Sequence, residues 1–298
     1  MNLKLVEDVA AAVLYEGYLL YPYRASAVKN QQRWNFGVLY PRSYATWQTG
    51  SDTWWNQTEC LLRATADCRL TVRIRFLHLM EQPGRVLAAR ERDIALSDRL
   101  ANLMAGVRLS FIFDKSGEHE AIHAAVEISA DPIRDDLTRL RLRVLNTSPS
   151  TAEEREAALR ESMVSTHSIL NLDNGDFISL LEPPEDTREA AAACNNIATW
   201  PVLVGEEGAR DTMLSSPIIL YDYPEIAPES PGALFDGTEI DEILTLRIMT
   251  LTDEEKREMG LADERAREIL ERTESMPPEQ FMKLHGVLRG LRSVEEAP

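Results

Sequence analysis

The amino-acid sequence predicts an α+β, mainly β fold: an antiparallel β-sandwich region with flanking helices and a helical C-terminal tail. Two observations lead to this prediction. Between residues 58 and 150, apolar and polar residues alternate with a period of two, which is typical of half-buried antiparallel strands. On either side of that region, apolar residues recur every three or four positions, as they do on amphipathic helices.

Three stretches of the β region carry the clearest alternation: residues 70–76, 107–113 and 139–144. Their polar positions hold rows of arginine, such as Arg139, Arg141 and Arg143, which we expect on a solvated outer face. Turn signals separate the strands at Pro83-Gly84, Ser116-Gly117 and Asp131-Pro132, so the segment has the strand lengths of a sandwich.

The N-terminal residues 1–57 are predicted to form one helix and an irregular aromatic segment. Helical spacing extends from Val6 to Tyr21, and Pro22 ends it. Phe36–Tyr40 is predicted as a short strand, and Trp47–Asn56 as a loop.

Residues 151–250 are predicted to mix helices and strands. A capping-box pattern at Thr151–Glu154 predicts a helix through Ser162. Asn174-Gly175 predicts a hairpin between Thr166–Leu172 and Phe177–Leu181, because Asn-Gly favours tight turns. Further strands are predicted at Trp200–Val204 and Pro217–Tyr221. The remaining residues, 251–298, are predicted to be helical, with an apolar stripe formed by Phe281, Leu284, Leu288 and Leu291.

Composition restricts the classes of partner. The 49 acidic residues exceed the 32 lysines and arginines and give a net charge of -17, which disfavours nucleic acid and anionic membranes as general partners. The N-terminus has no leader pattern and no apolar run is long enough to span a bilayer, so we expect a cytoplasmic protein without membrane insertion. Three cysteines without C-x-x-C spacing predict neither a disulfide framework nor a thiolate metal site, and no cofactor is expected.

Aromatic residues concentrate between residues 15 and 55, which hold eleven of the chain's twenty. Basic residues are interleaved with them, so this segment is locally basic in an acidic protein. One interpretation is a packed core with solvated cations, and the other is a surface that binds a partner. The second interpretation predicts a partner-binding site at Arg24, Arg33, Trp47, Trp54 and Trp55.

An acidic segment near the C-terminus has the opposite character. Between Arg210 and Arg247 the chain holds eight carboxylates and no Lys or Arg, and several prolines interrupt it. The alternatives are a solvated loop and a docking loop that lies close to the basic aromatic segment. The predicted docking residues are Asp222, Glu225, Asp236, Glu239 and Asp241.

One catalytic pattern occurs, because His119, Glu120 and His123 match H-E-x-x-H. In zinc peptidases this spacing places two imidazoles on one helix face and the glutamate beside the metal-bound water. Here the following residues alternate as a strand, and on a strand the two histidines stand about 13 Å apart, too far to share a zinc ion. The motif therefore supports only an alternative hypothesis, a metal-dependent hydrolase.

Several long strings at residues 13–30, 33–41, 199–205, 215–232 and 234–256 resemble a bacterial protein family encoded beside nickel-iron uptake hydrogenases. The resemblance covers nearly the whole chain, and the family has no assigned catalytic residues that could be transferred. It implies an accessory role in making, assembling or operating a hydrogenase.

The leading hypothesis is therefore a non-enzymatic accessory or scaffold protein that binds a hydrogenase subunit or maturation factor. The metal-dependent hydrolase built on His119, Glu120 and His123 is the main alternative. A third hypothesis is a binder of a small anionic ligand at Tyr23, Arg24, Lys29 and Arg33.

Overall fold

The computed structural model describes residues 3–15, 36–47, 52–65, 67–80, 88–115, 120–224 and 271. Its strands are β1 (Trp55–Ala64), β2 (Arg69–Met80), β3 (Ala88–Arg99), β4 (Val107–Phe113), β5 (Ile122–Arg134), β6 (Leu137–Asn146), β7 (Val164–Leu172), β8 (Gly175–Ile178), β9 (Trp200–Leu203) and β10 (Thr212–Ser216). Its helices are α1 (Leu3–Tyr15), α2 (Arg42–Trp47), α3 (Leu100–Leu103), α4 (Arg155–Arg160) and α5 (Arg188–Ala192), the last preceded by a 3₁₀ turn at Glu185–Thr187.

The strands form two five-stranded sheets. The first sheet has the order β4-β5-β6-β1-β8, and the second has the order β3-β2-β7-β10-β9. Every pairing between these strands is antiparallel. The predicted mainly β, antiparallel sandwich is confirmed.

Apolar side chains from both sheets pack into one core between them. Leu70, Val72, Ile74 and Phe76 of β2 are all buried there, together with residues of β5 and β6 from the opposite sheet. The period-two pattern explains this arrangement, because successive side chains of a strand point to opposite faces. The arginines between the apolar positions consequently lie on the two outer faces.

The β region is larger than residues 58–150. β7 pairs with β2 and β8 pairs with β1, so strands from residues 151–250 complete both sheets. At the other end, β1 already begins at Trp55, within the stretch predicted as a loop. Residue 150 therefore does not separate two independent sheet structures.

The predicted hairpin at Asn174-Gly175 is wrong. β7 belongs to the second sheet and β8 to the first, so this tight turn carries the chain from one sheet to the other. Gly175 is needed for close approach, because a Cβ atom on it would lie 2.6 Å from the Cβ of Ala64 and 3.0 Å from the carbonyl oxygen of Arg63. Gly175, which suggested a tight turn, therefore allows β8 to pair closely with β1.

Two further turn and cap predictions are wrong. Asp131 and Pro132 lie within β5, and the turn follows at residues 135–136. Pro132 is tolerated because the register shifts between it and Arg134. The capping box at Thr151 does not form, since α4 begins at Arg155 after Glu154 and has no side-chain cap.

Two short predicted strands are also absent. Phe36–Tyr40 contains a single bridging residue, Leu39, which pairs with Thr53 and Met163. Gly37 has a φ of +57°, which breaks the extended conformation next to it. Pro217–Tyr221 follows β10 as irregular chain, and the strand β10 itself was not predicted.

Helix α1 covers part of the outer face of the second sheet. Val6, Val9 and Val13 pack against Ile169 and Leu214. Ser165 Oγ donates a hydrogen bond of 2.9 Å to the Val13 carbonyl, which ties the end of the helix to β7. The first predicted helix is thus confirmed over Leu3–Tyr15, whereas its continuation to Tyr21 and the C-terminal apolar stripe lie outside the described residues.

A fully buried histidine lies on β7 near the end of α1. His167 Nδ1 donates to the Ser165 carbonyl over 3.0 Å, and its Nε2 has no hydrogen-bond partner among the residues that the structure describes. Burial, together with the neighbouring Arg75 and Arg73, lowers the pKa of His167 from 6.5 to about 4. The imidazole is therefore neutral in the folded protein at neutral pH.

A buried amide joins three segments at one end of the sandwich. Asn146 Nδ2 donates to the carbonyl oxygens of Leu39 and Glu161, both over 2.8 Å, and its Oδ1 accepts from the Ser148 backbone N–H over 2.9 Å. The Asn146 backbone N–H donates to the Trp54 carbonyl over 2.8 Å. This one residue links β6 to the chain before α2, to the end of α4 and to the start of β1.

We predict that Gly175→Ala lowers the free energy of unfolding by about 1–3 kcal/mol, because its Cβ would overlap the Cβ of Ala64. Chemical denaturation measures the loss. The double variant Gly175→Ala with Ala64→Gly removes one overlapping methyl group and should recover part of the stability. Equal stability of Gly175→Ala and the wild type would contradict the close approach of β8 to β1.

Because burial lowers the pKa of His167, we predict that the protein loses stability in mild acid. Its folded pKa of about 4 lies below its unfolded value of 6.5, so the unfolded chain binds the additional proton between these values and stability falls as pH decreases. The full difference is about 3 kcal/mol. Denaturation between about pH 4.5 and 6.5 should show this slope in the wild type and a shallower one in His167→Phe, which cannot titrate. An unchanged slope would refute the assignment.

Replacing Asn146 with alanine should lower the free energy of unfolding by about 2–4 kcal/mol, because the Glu161 carbonyl and the Ser148 N–H would lose the side chain that bonds them, while the Leu39 carbonyl would keep its bond from the Met163 N–H. Asn102→Ala is the matched control: it removes one hydrogen bond to Asp98 at an exposed position of α3. Thermal melts of both variants make the comparison. Similar small losses in the two would show that the Asn146 side chain has no special role.

Candidate interaction surface

Two adjacent tryptophans mark the start of β1 at the surface of the sandwich. Trp54 and Trp55 have ring centroids 6.4 Å apart and are both half-buried. Trp55 lies opposite Leu145 of β6, on the outer face of the first sheet. Trp54 packs against a separate apolar cluster that contains Tyr40 and Tyr44.

Each tryptophan ring has an arginine over it. The guanidinium carbon of Arg42 lies 4.7 Å from the centroid of Trp54, and that of Arg143 lies 5.3 Å from the centroid of Trp55. Both distances are within the range of cation–π attraction, worth about 0.5–1 kcal/mol per pair at exposed sites. We call Arg42, Trp54, Trp55 and Arg143 the aromatic–arginine surface.

Local hydrogen bonds hold the backbone of this surface in place. Thr53 Oγ1 donates to the Trp55 carbonyl over 2.7 Å and accepts from the Trp55 N–H over 3.3 Å. The Tyr40 N–H donates to the Thr53 carbonyl over 2.9 Å. Together with the bond from Asn146 to the Trp54 carbonyl, these contacts fix the backbone from which the two rings extend.

Tyrosines of the same region serve as core. The rings of Tyr40 and Tyr44 are 5.0 Å apart, and both side chains are buried. Burial raises the pKa of Tyr40 to about 12 and also raises that of Tyr44. Both phenols are therefore neutral over the physiological range, and the charge of the surface comes from its arginines. The packed-core interpretation describes Tyr40 and Tyr44, whereas Trp54 and Trp55 remain partly open.

Only part of the predicted partner-binding site is described. Trp54 and Trp55 lie side by side. Trp47 is the last residue of α2, and its side chain lies outside the described part of the structure. Arg24 and Arg33 lie outside the described residues, as do Tyr23 and Lys29 of the anion-binding hypothesis. The sequence interpretation overlooked the pairing of Trp55 with Arg143, since it depends on which strand lies beside β1.

Of the predicted acidic docking residues, the structure describes Asp222. Its Oδ1 accepts from the Leu203 N–H over 2.8 Å, and its Oδ2 accepts from Ser179 Oγ over 2.5 Å. These bonds connect the chain after β10 to the end of β9 and to the residues after β8. Glu225, Asp236, Glu239 and Asp241 lie outside the described residues, so the docking role and the proximity of the acidic segment to the basic aromatic segment stay predictions.

The H-E-x-x-H stretch is partly described and begins a strand. His123 is the second residue of β5, and its backbone N–H donates to Ser148 Oγ over 2.9 Å. Both carboxylate oxygens of Glu120 accept from Lys115 Nζ, over 2.8 and 2.7 Å. His119 lies outside the described residues. The described half of the motif thus lacks the helical turn on which the zinc-peptidase arrangement depends.

Among the residues that the structure describes, no three His, Cys, Asp or Glu side chains are grouped so that they could hold a metal ion. Cys60 and Cys68 are buried thiols, and burial raises the pKa of both. Within the same part of the chain, no helix is long and apolar enough to cross a membrane.

No protein-family model matches the chain, and no curated protein matches it.

Proposed function

We propose that this protein is a non-enzymatic accessory or scaffold protein that binds a protein partner through the aromatic–arginine surface. The observation that carries the proposal is the pair Trp54 and Trp55, half-buried side by side, each with a guanidinium group over its ring. Tryptophan and arginine are the residues most enriched at the energetic centres of protein interfaces.

The arrangement suits binding because it is already ordered. Association normally costs free energy for immobilising side chains, and rings held between a packed cluster and a guanidinium group lose little further freedom. A partner that covers the exposed parts of both rings removes apolar surface from water, at about 25 cal/mol per Å². The surface therefore supports binding without any conformational change in the described residues.

The proposed partner is a subunit or maturation factor of a nickel-iron hydrogenase. Support for this part comes from the resemblance of the chain to the family encoded beside such enzymes. The acidic net charge of -17 supports a protein partner over nucleic acid or anionic lipid, since both of these are polyanions.

The double variant Trp54→Ser with Trp55→Ser should lose co-purification with hydrogenase components from the bacterium that encodes the protein. Loss of central interface residues costs about 2 kcal/mol or more each, so we expect at least about a 30-fold loss of affinity. Quantitative mass spectrometry of the purified complex measures it. A circular-dichroism melt checks folding, because Trp54 also packs against the cluster of Tyr40 and Tyr44.

Trp200→Ser is the matched control. Trp200 is 43% exposed on β9, an edge strand of the second sheet, so this variant makes the same chemical change away from the proposed site. We expect it to co-purify normally. Trp55→Ser alone keeps the test valid if the double variant unfolds. Unchanged co-purification of a folded Trp55→Ser variant would refute the proposed surface, and the absence of hydrogenase components from wild-type complexes would refute the proposed partner.

A further inference from the structure

Strand β4 lies at one end of the first sheet, and no other described strand pairs with its outer edge. A long, uncharged edge strand pairs readily with another strand, so proteins usually protect such edges. The strands at the other ends of the two sheets show this protection. β8 and β9 have four residues each, β9 contains Pro201, and β3 carries the charged run from Arg90 to Asp93.

Strand β4 has none of these protective features. Its seven residues read VRLSFIF, so Arg108 is the one charged residue of the strand. Its pairing with β5 continues without a β-bulge from Val107 to Phe113. Leu109 and Ile112 are 40% and 61% exposed. The edge is therefore regular, largely apolar and open to pairing in the described part of the structure.

Hydrogen bonds at the start of β5 show which of its backbone groups face β4. The His123 N–H donates to Ser148 Oγ over 2.9 Å, and the His123 carbonyl accepts from the Thr147 N–H over 2.8 Å. Both backbone groups of His123 therefore point away from β4, towards the chain at the end of β6. Because successive residues of a strand direct these groups to opposite sides, those of Ala124 point towards β4.

The same alternation assigns the backbone groups of β4. Phe111 lies opposite Ala124, so the N–H and carbonyl of Phe111 face β5. The backbone groups of Arg108, Ser110 and Ile112 consequently point to the open edge. They form no backbone hydrogen bond with any other described residue. Three residues of β4 thus present the donors and acceptors that a further strand requires.

This edge is complementary to itself. When two β4 strands pair antiparallel about Ser110, Ser110 lies opposite its own copy and Arg108 lies opposite Ile112 of the second copy. Every residue that points to the edge then exchanges two hydrogen bonds with its counterpart, and no two arginines lie opposite each other. On the other face, Leu109 lies opposite Phe111 of the second copy, which pairs apolar side chains. A shift of two residues would leave one outward residue without a counterpart in β4, and a shift of one would mismatch the faces.

We propose that β4 pairs with β4 of a second copy of this chain, across a twofold axis at Ser110, so that the two first sheets form one continuous sheet. Self-complementarity is what a twofold interface requires. The chain has a net charge of -17, but β4 contains no acidic residue, so two copies meet where like-charge repulsion is weak. The contact is short, and we therefore expect a dimer that depends on protein concentration. The inference is independent of the proposed function, because β5 and β6 separate β4 from β1 and its tryptophan.

Light scattering and sedimentation velocity of the purified full-length protein, over a series of concentrations, test the proposal. We expect a species of twice the 33.6 kDa chain mass at high concentration. Ser110→Pro removes an N–H that points to the open edge and should abolish the dimer, while the bonds from β4 to β5 remain. Ser110→Ala is the matched control: it retains the N–H and should dimerise like the wild type. A wild type that is monomeric throughout, because another protein or another segment of this chain occupies the edge, would overturn the proposal. So would a folded Ser110→Pro variant that dimerises normally.

Two charge variants at Ile112 test the register, and they decide the question if Ser110→Pro does not fold. Ile112 is 61% exposed, so a polar replacement there should preserve the fold, which a circular-dichroism melt checks. Ile112→Lys places a positive charge opposite Arg108 of the second copy, whereas Ile112→Glu places a carboxylate there. We expect the lysine variant to dimerise at least about tenfold more weakly than the glutamate variant, since each charge acts twice in a symmetric dimer. Equal dimerisation of the two variants would overturn the proposed pairing.

Discussion

The position of the candidate surface depends on the buried amide of Asn146. The carbonyl groups of Leu39 and Glu161 and the N–H of Ser148 all bond to this amide, and without it the Glu161 and Ser148 groups would lose a partner in a buried site. An amide side chain meets this requirement because it both donates and accepts. In the described part of the aromatic segment, Leu39 is held by isolated bridges to Thr53 and Met163, and the Asn146 amide adds a side-chain bond to its carbonyl.

This attachment links the fold to the proposed function. The Asn146 backbone N–H donates to the Trp54 carbonyl, and Trp55 begins β1, the strand that pairs with β6. The same strand β6 carries Arg143 over one tryptophan and Arg141 two residues before it on the same face. Strand β6 thus positions Trp55 and Arg143 together, while Arg42 of α2 and the cluster of Tyr40 and Tyr44 position Trp54.

Local sequence patterns predicted the strands better than their pairing. Alternation in residues 139–144 correctly separates buried leucines from outward arginines, because it depends only on the geometry of one strand. The hairpin predicted from Asn174-Gly175 was wrong because the role of this glycine is not local. Gly175 allows close contact with Ala64, which is more than a hundred residues away in the sequence. The row of Arg108, Glu127 and Arg143 could not be predicted at all, since these residues become neighbours only through the register of three strands.

The two outer faces of the sandwich differ in how they are covered. Helix α1 packs on the outer face of the second sheet, whereas α5 packs on one end of the first sheet, where Ala191 contacts Leu61 and Leu137, and Trp55 lies at the other end of β1. A partner at the Trp55 end would add a layer there, and any ligand that binds only the folded state shifts the folding equilibrium in proportion to its concentration. The resistance of this protein to unfolding and proteolysis in its cell would then report how much of it is in complex.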